Sequence, residues 1–445
     1  MLFMQSLNAG CSSRRGLNII DAEVDAAPPM PCGNSDWTEP GSPWPVYMGC
    51  PERRSRSAAV GPATPENIRY VGEISNSPET EEWRLEAMSH GGPVIASDGT
   101  LYIGSSRFYH DDGIPPGLWS QQILAIDPDG SERLIYETEL IALPMDAGSL
   151  QPPNGFAISI DGHIYFGVIN SETRTNHNEN EIILAFDKNG AEVYQSRPYH
   201  SWHKALGPDG VFYANEHVDE SNKYLVALAH DGTELWRYKT KNHFASSLAL
   251  DPQGRIYFFL QEFDYAAGWV GLLALQPDGT LLWEKRISDF KGSQLSIGDN
   301  GSLYFFAGER NKDHSFDYSL YAYSSDGEFL WSHPVDGVPG QSLAIGPGSM
   351  VVGAAEDIVY AFSPDGEILW TYEDRKQWSA PGGRPAIDGE GTTYIVMQDG
   401  LRAIRRDGTL KWKAQIGTPW QGVVIGADGT LYFSCGKKGL CVIEH

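Results

Sequence analysis

The chain is poor in positive charge. Over 445 residues, 33 Lys and Arg stand against 58 Asp and Glu, a formal net charge of −25. A surface this acidic repels phosphate backbones, so nucleic acid is not an expected partner; its plainest consequence is solubility. No run of roughly 18 or more apolar residues occurs, so no transmembrane helix is expected. No glycine-rich loop sits where it would join a strand to a helix and cradle phosphate, and no nucleophile motif stands out. Charged residues are 20% and hydrophobic residues 41%. That balance argues against disorder and supplies a sizeable core.

What is present in quantity is turn and strand chemistry: 49 Gly, 28 Pro and 11% aromatics. Self-similarity follows at once. The phrase A-x-x-x-[DN]-G starts at Ala125, Ala185, Ala227, Ala274, Ala322, Ala361 and Ala403. Four residues past its glycine stand Trp236, Trp283, Trp331, Trp370 and Trp412 in the last five copies, with Leu134 and Tyr194 in the first two. A second phrase interleaves (DGTLYIG, DGHIYFG and their kin) and places Tyr102, Tyr165, Tyr213, Tyr257, Tyr304, Tyr394 and Tyr432, with Val352 in the remaining copy. Ahead of each second phrase an aliphatic residue follows a mostly small one, as in Val94-Ile95 and Ala249-Leu250. That alternation has period two and reads as a strand.

Each unit of about 47 residues thus reads strand, turn, strand with tyrosine, loop, strand with alanine, turn, strand with tryptophan. Asp-Gly is a strong hairpin signal, here taken as a turn with both residues at positive φ. One four-stranded sheet cannot bury both faces; several packed radially can. The sequence therefore predicts an all-β, eight-bladed β-propeller of four-stranded antiparallel blades. The last unit stops after its third strand. Residues 66–74, with Ile68-Arg69-Tyr70 matched to Leu410-Lys411-Trp412, are predicted to supply the missing outer strand. Residues 1–43 are expected to form a polar, Pro-rich tether, and 44–445 a single propeller domain.

The alanine–Asp-Gly–tryptophan phrase resembles the tryptophan-docking repeat of the quinoprotein-like, or PQQ-like, β-propellers. The lead-in SPWPVYMGCPERRSRSAAVGP is similar to the Trp-Pro segment before the first blade of bacterial members. The turn before tryptophan is one residue shorter than in the enzyme repeats and uses Asp-Gly where they use Thr-Gly. The resemblance implies the ring but not its cofactor. Quinoprotein dehydrogenases carry adjacent cysteines beside the quinone and a calcium on carboxylate and amide ligands. This sequence has no Cys-Cys pair, so neither PQQ nor calcium is expected. The non-enzymatic branch looks closer, including the outer-membrane assembly lipoprotein that acts as a protein-binding scaffold.

Two faces follow from strand alternation. Both kinds of Asp-Gly turn fall on one, and the irregular loops fall on the other, the candidate recognition surface. Long loops at 105–122, 137–155, 169–181, 260–271 and 307–319 bring Phe108, Tyr109, Trp119, Phe263, Tyr265, Trp269, Phe316 and Tyr318 beside acidic residues. Aromatics among acids suit a protein or glycan partner; the plainer reading is that they fold back over blade edges. Around the channel mouth, His203, Gln294 and Arg384 align where other units carry glycine or serine, and are candidates to line a pocket. His200, His203, His217 and Asp219 can be drawn as a metal site, although loop histidines are more often solvated. Leu7-Asn8-Ala9-Gly10-Cys11 resembles a bacterial lipoprotein signal, making Cys11 a candidate lipidation site. Cys32 with Cys50 and Cys435 with Cys441 are candidate disulfides; five unrelated thiols is the alternative. The expectation is an exported, non-catalytic scaffold that is periplasmic, outer-membrane-anchored or extracellular, touching membrane only through a lipid. The alternative is a quinoprotein-type oxidoreductase or lyase with its site at the channel mouth. A structural spacer is a third reading.

Overall fold

The structure is a computed structural model. It describes residues 38, 42, 44, 50, 53–66, 68–71, 81–84, 93–109, 118–142, 154–169, 181–196, 204–219, 221–240, 243–261, 270–288, 290–291, 293–373, 384–397, 399–416, 422–435 and 440–445. The described strands form eight antiparallel sheets. Blade 4 is representative: Ala245–Leu250, Ile256–Gln261, Val270–Leu275 and Leu281–Ser288 pair in chain order. Blades 1 and 5 carry additions. Glu81–Arg84 joins the edge of Leu101–Tyr109, Ile141–Ala142 pairs with Leu118–Ile126, and Phe290–Lys291 pairs with Leu303–Arg310. Apolar clusters join each blade to the next. The largest links Ile95, Leu101 and Ile103 of blade 1 to Leu431, Phe433 and Val442 of blade 8 and to Val396 and Leu401 of blade 7. The sheets therefore close into a ring.

The repeated phrase has a geometric cause. In blade 4, Tyr257 lies opposite Ala274, which lies opposite Trp283. Strands two apart in a sheet are separated by roughly 10 Å. Yet the Tyr257 and Trp283 ring centroids are 6.0 Å apart, because both rings lean in over the alanine methyl. The same rows give 5.8 Å for Tyr213–Trp236, 6.0 Å for Tyr304–Trp331 and 5.8 Å for Tyr394–Trp412. A larger side chain in the middle would part the rings.

The tryptophan then reaches into the following blade. Trp236 Nε1 donates to the Pro277 carbonyl, Trp283 to Ser325 and Trp331 to Pro364, at 2.8, 3.0 and 2.8 Å. Each acceptor belongs to the third turn of the next blade. The glycine of that turn lies flat under the indole: a Cβ on Gly279, Gly327 or Gly366 would stand 2.6–2.7 Å from a ring carbon. Those glycines are also held at φ of +79° to +87°. The phrase is thus an inter-blade coupling. Its turn differs from the expected one: glycine alone is left-handed, and the aspartate keeps negative φ. Gly279 N–H donates to Gln276, and the register shifts by one residue beside Ala274. This is a type I turn with a glycine bulge. The aspartate instead accepts from the backbone two residues on, as Asp278 does from Thr280 at 2.9 Å.

Ile68–Val71 completes blade 8 as expected, antiparallel to Leu440–Ile443. The expected register was off by one. Arg69 faces Val442, which faces Tyr432, so Arg69 and not Tyr70 occupies the tryptophan place. Arg69 also meets the glycine of the next turn: a Cβ on Gly130 would lie 2.7 Å from its guanidinium. Tyr70 is 38% exposed. Cys435 and Cys441 form a disulfide within this closing blade.

Candidate functional site: the occupied channel

A propeller's innermost strands face a central channel with one open edge each. Here they are short, such as Ala344–Ile345 and Ala386–Ile387. Their edge N–H and C=O groups, buried next to the axis, need partners. The segment Arg53-Arg54-Ser55-Arg56-Ser57 supplies them. All five residues are buried, at 2–5% exposure. Ile345 N–H donates to the Arg54 carbonyl and Ile387 N–H to that of Ser55, at 2.7 and 3.0 Å. Ser57 N–H returns a bond to the Ile387 carbonyl at 2.9 Å, and Ser296 Oγ donates to the Arg53 carbonyl at 2.8 Å. Blade 1 is met earlier: Ile95 N–H donates to Trp44, and Ser42 Oγ to the Ile95 carbonyl.

The arginine side chains take the carbonyls that remain. Arg53 donates to Leu248 in blade 4, to Lys204 at the entry to blade 3 and to the Gln294 side chain at the entry to blade 5. Arg54 donates to Ile297 at 3.0 Å, and Arg56 to Gly346 at 3.3 Å. Arg53 and Ser55 have left-handed backbone, φ +56° and +48°, so the chain turns at each and passes from blade to blade. Arg54 and Arg56 converge on one carboxylate, Asp299, at 2.7 and 2.9 Å. Burial pushes the Asp299 carboxyl up, but the Arg56 hydrogen bond and the charges of both arginines outweigh it and hold the group below its ordinary 3.8. Buried guanidiniums are tolerable only when so paired.

Beyond Ser57 the chain crosses the turns of blade 7. The fully buried Asp388 accepts from Glu390 N–H, Thr392 N–H, Tyr394 hydroxyl and Gly61 N–H at 2.8–3.1 Å. Trp412 Nε1 donates to the Pro62 carbonyl at 2.9 Å, where other blades present a turn. The segment therefore caps the channel edges, stands in for the missing turn and then becomes the last strand. Between blades 8 and 1 a cavity of about 560 Å³ remains, lined by Arg69, Asp98, Pro128, Asp428, Tyr432 and Glu444 among others. Arg69 pairs there with Glu444 at 3.0 Å.

Of the residues singled out from sequence, Gln294 lies at the channel in contact with Arg53. Arg384 packs on Gly422, where a Cβ would lie 2.8 Å from its own. Phe108 and Tyr109 end a strand, paired with Trp119 and Leu118, and Trp119 is buried at 7%. Phe316 and Tyr318 belong to the strand Phe316–Tyr323, stacked 6.1 Å apart. The expected 307–319 loop is a hairpin whose tip is only Asn311 to Ser315. His200, His203, Phe263, Tyr265, Trp269, Cys11 and Cys32 lie outside the described residues, while Cys50 is buried. Asp219 is taken by Ser221 and Asn222, and His217 stands edge-on to Phe244. Among the described residues, no group of three or more His, Cys, Asp or Glu is placed to hold a metal, and no helix is long and apolar enough to cross a membrane. Sequence reading did not assign a place to the arginine segment. Its signal was three arginines in four residues of an acidic chain, two of them spaced i, i+2.

Residues 266–444 match the family model described as outer membrane protein assembly factor BamB. Among solved structures, the Dos1 propeller is similar with a TM-score of 0.55 at 10% identity, over 82% of this chain and 95% of that one. A protein of unknown function from Bacteroides caccae matches at 0.33 and 14% identity, over 53% and 89%. These likenesses concern the fold. No curated protein matches the chain.

Proposed function

We propose that this β-propeller of PQQ-like repeats is a non-catalytic scaffold of the cell envelope, binding a protein or glycan partner through its long-loop face. One observation carries the reading. The channel, where an enzyme of this architecture would seat a cofactor, holds Arg53 to Ser57. Gln294, a candidate pocket residue, already accepts from Arg53. Neither this filling of the channel nor the five cysteines, none of which adjoins another, favours a quinone seat. The turn face is repetitive, which leaves the loop face as the variable surface. The Cys435–Cys441 disulfide supports maturation in an oxidising compartment, and the match to an outer-membrane assembly factor supports the envelope.

Two measurements test this. Full-length protein with PQQ and calcium should show no shift of its thermal midpoint and no dye-coupled oxidation. A shift with turnover would replace the scaffold by the oxidoreductase reading. Replacing the Asn311 to Ser315 tip by a two-residue Asn-Gly turn, together with shortening the 260–271 loop, should leave the midpoint within a few degrees. It should also abolish cross-linking to envelope partners. Undiminished cross-linking would remove the loop face from consideration.

A further inference from the structure

The way Arg53 to Val71 is held differs from the way the blades hold one another. Blades meet through apolar clusters and docked indoles. Residues 53–57 are polar throughout, and they are held by strand-edge hydrogen bonds, side chain to carbonyl bonds and the pairing with Asp299. Ile68–Val71 adds to the free edge of Leu440–Ile443. The second is how folded domains capture extended peptides, by main-chain pairing along an edge; the first bonds to successive blades, turning at Arg53 and Ser55, whose φ are +56° and +48°. The ring thus contains a two-part peptide site. One part is the channel edge of blades 4 to 7, which reads arginine at i and i+2 through Asp299. The other is the open edge of blade 8.

We propose that this site is a receptor for an Arg-x-Arg segment turned at its middle residue and followed by a short strand. It is filled in cis by this chain's own residues and can be filled in trans by the same segment of a second copy, giving a strand-exchanged assembly. The occupant follows from the site: blade 8 leaves an edge for one antiparallel strand, and Asp299 takes two guanidiniums that the turn at Ser55 brings together. Exchange of an identical element between protomers needs no new surface.

The test uses the full chain with a protease site inserted between Val71 and Glu81, cleaved after folding. A fluorescent peptide with the sequence of residues 52–71 should enter the nicked ring on incubation, displacing the resident fragment. The same peptide carrying Arg54→Ala and Arg56→Ala should compete about tenfold less well or worse, because two charge-assisted pairs are lost. In the nicked Asp299→Asn protein the advantage of the native peptide should shrink to what its bonds to the Ile297 and Gly346 carbonyls supply, and an undiminished advantage would overturn the reading through Asp299. The proposal is overturned if the labelled peptide never enters, or if the alanine peptide enters as well as the native one. It is also overturned if the resident fragment dissociates and the ring keeps its unfolding midpoint, since the site would then hold nothing that matters to it.

Discussion

At the scale of single residues, the recurring glycine does two separable things. It adopts a left-handed backbone, and it makes room for the indole of the preceding blade. Gly327 does both, with φ +79° and Trp283 2.7 Å from where its Cβ would be; Gly301 has φ +77° and nothing within 4 Å. Gly301→Ala should therefore cost about 1 kcal/mol, the backbone penalty alone. Gly327→Ala adds displacement of a packed ring and should cost about 2–4 kcal/mol. Urea unfolding of the two variants checks this; equal losses would mean that the docking contributes nothing.

At the scale of elements, the seam between blades 8 and 1 departs from the pattern. Arg69 holds the tryptophan place, and a cavity of about 560 Å³ lies beside it. Burial, with the charges of Asp428 and Glu444 added, pushes the nearby Tyr432 hydroxyl up to about 12, so it stays protonated and able to donate near neutrality. Arg69→Trp should place an indole over Gly130 and, despite losing the exposed pair with Glu444, raise the thermal midpoint by a few degrees. A lower midpoint would show that the ion pair matters more than the packing. In the same blade, reduction of Cys435–Cys441 opens a short loop and should destabilise by about 2 kcal/mol, read as a lower midpoint in dithiothreitol.

The elements themselves were legible in the sequence because their causes are local and repeated. Alternating small and aliphatic residues, turn glycines and the Tyr–Ala–Trp row each recur with little change. Blade count, strand order and ring closure followed from them. The closing register did not, because Tyr70 looks like the aromatic to align with Trp412 while pairing places Arg69 there. The turn type was misread because Asp-Gly suits two hairpins, and the bulge beside alanine selects one. The 307–319 stretch read as loop because Gly308 interrupts a strand; it is glycine because Tyr318 lies over it, 2.9 Å from where a Cβ would stand. The channel segment escaped because its partners come from blades 3 to 7, far away in sequence, and no local pattern announces a contact of that range.

At the scale of the whole molecule, stability in acid is tied to aspartates. Arginine pairing lowers the Asp299 carboxyl, and turn hydrogen bonds lower those of Asp231, Asp278 and Asp407. A carboxylate with a depressed folded value contributes stability above its unfolded value and loses it as pH falls through the folded one. The protein should therefore weaken progressively as pH drops below the ordinary value of 3.8. Asp299→Asn, less stable at neutrality, should show a shallower acid loss than the native chain in denaturant titrations at successive pH values. Parallel curves would show that the pairing does not set the acid limit.

The bond between Arg69 and Glu444 joins residues 375 positions apart. During synthesis the early strand emerges long before the one it pairs with, and must wait unpaired while seven blades are made. Joining such distant points carries a loop-entropy cost that grows with the logarithm of the span, and contacts this remote slow the search. The final blade therefore cannot form until Leu440–Ile443 has left the ribosome, and until then a nascent chain of this protein exposes one unsatisfied edge.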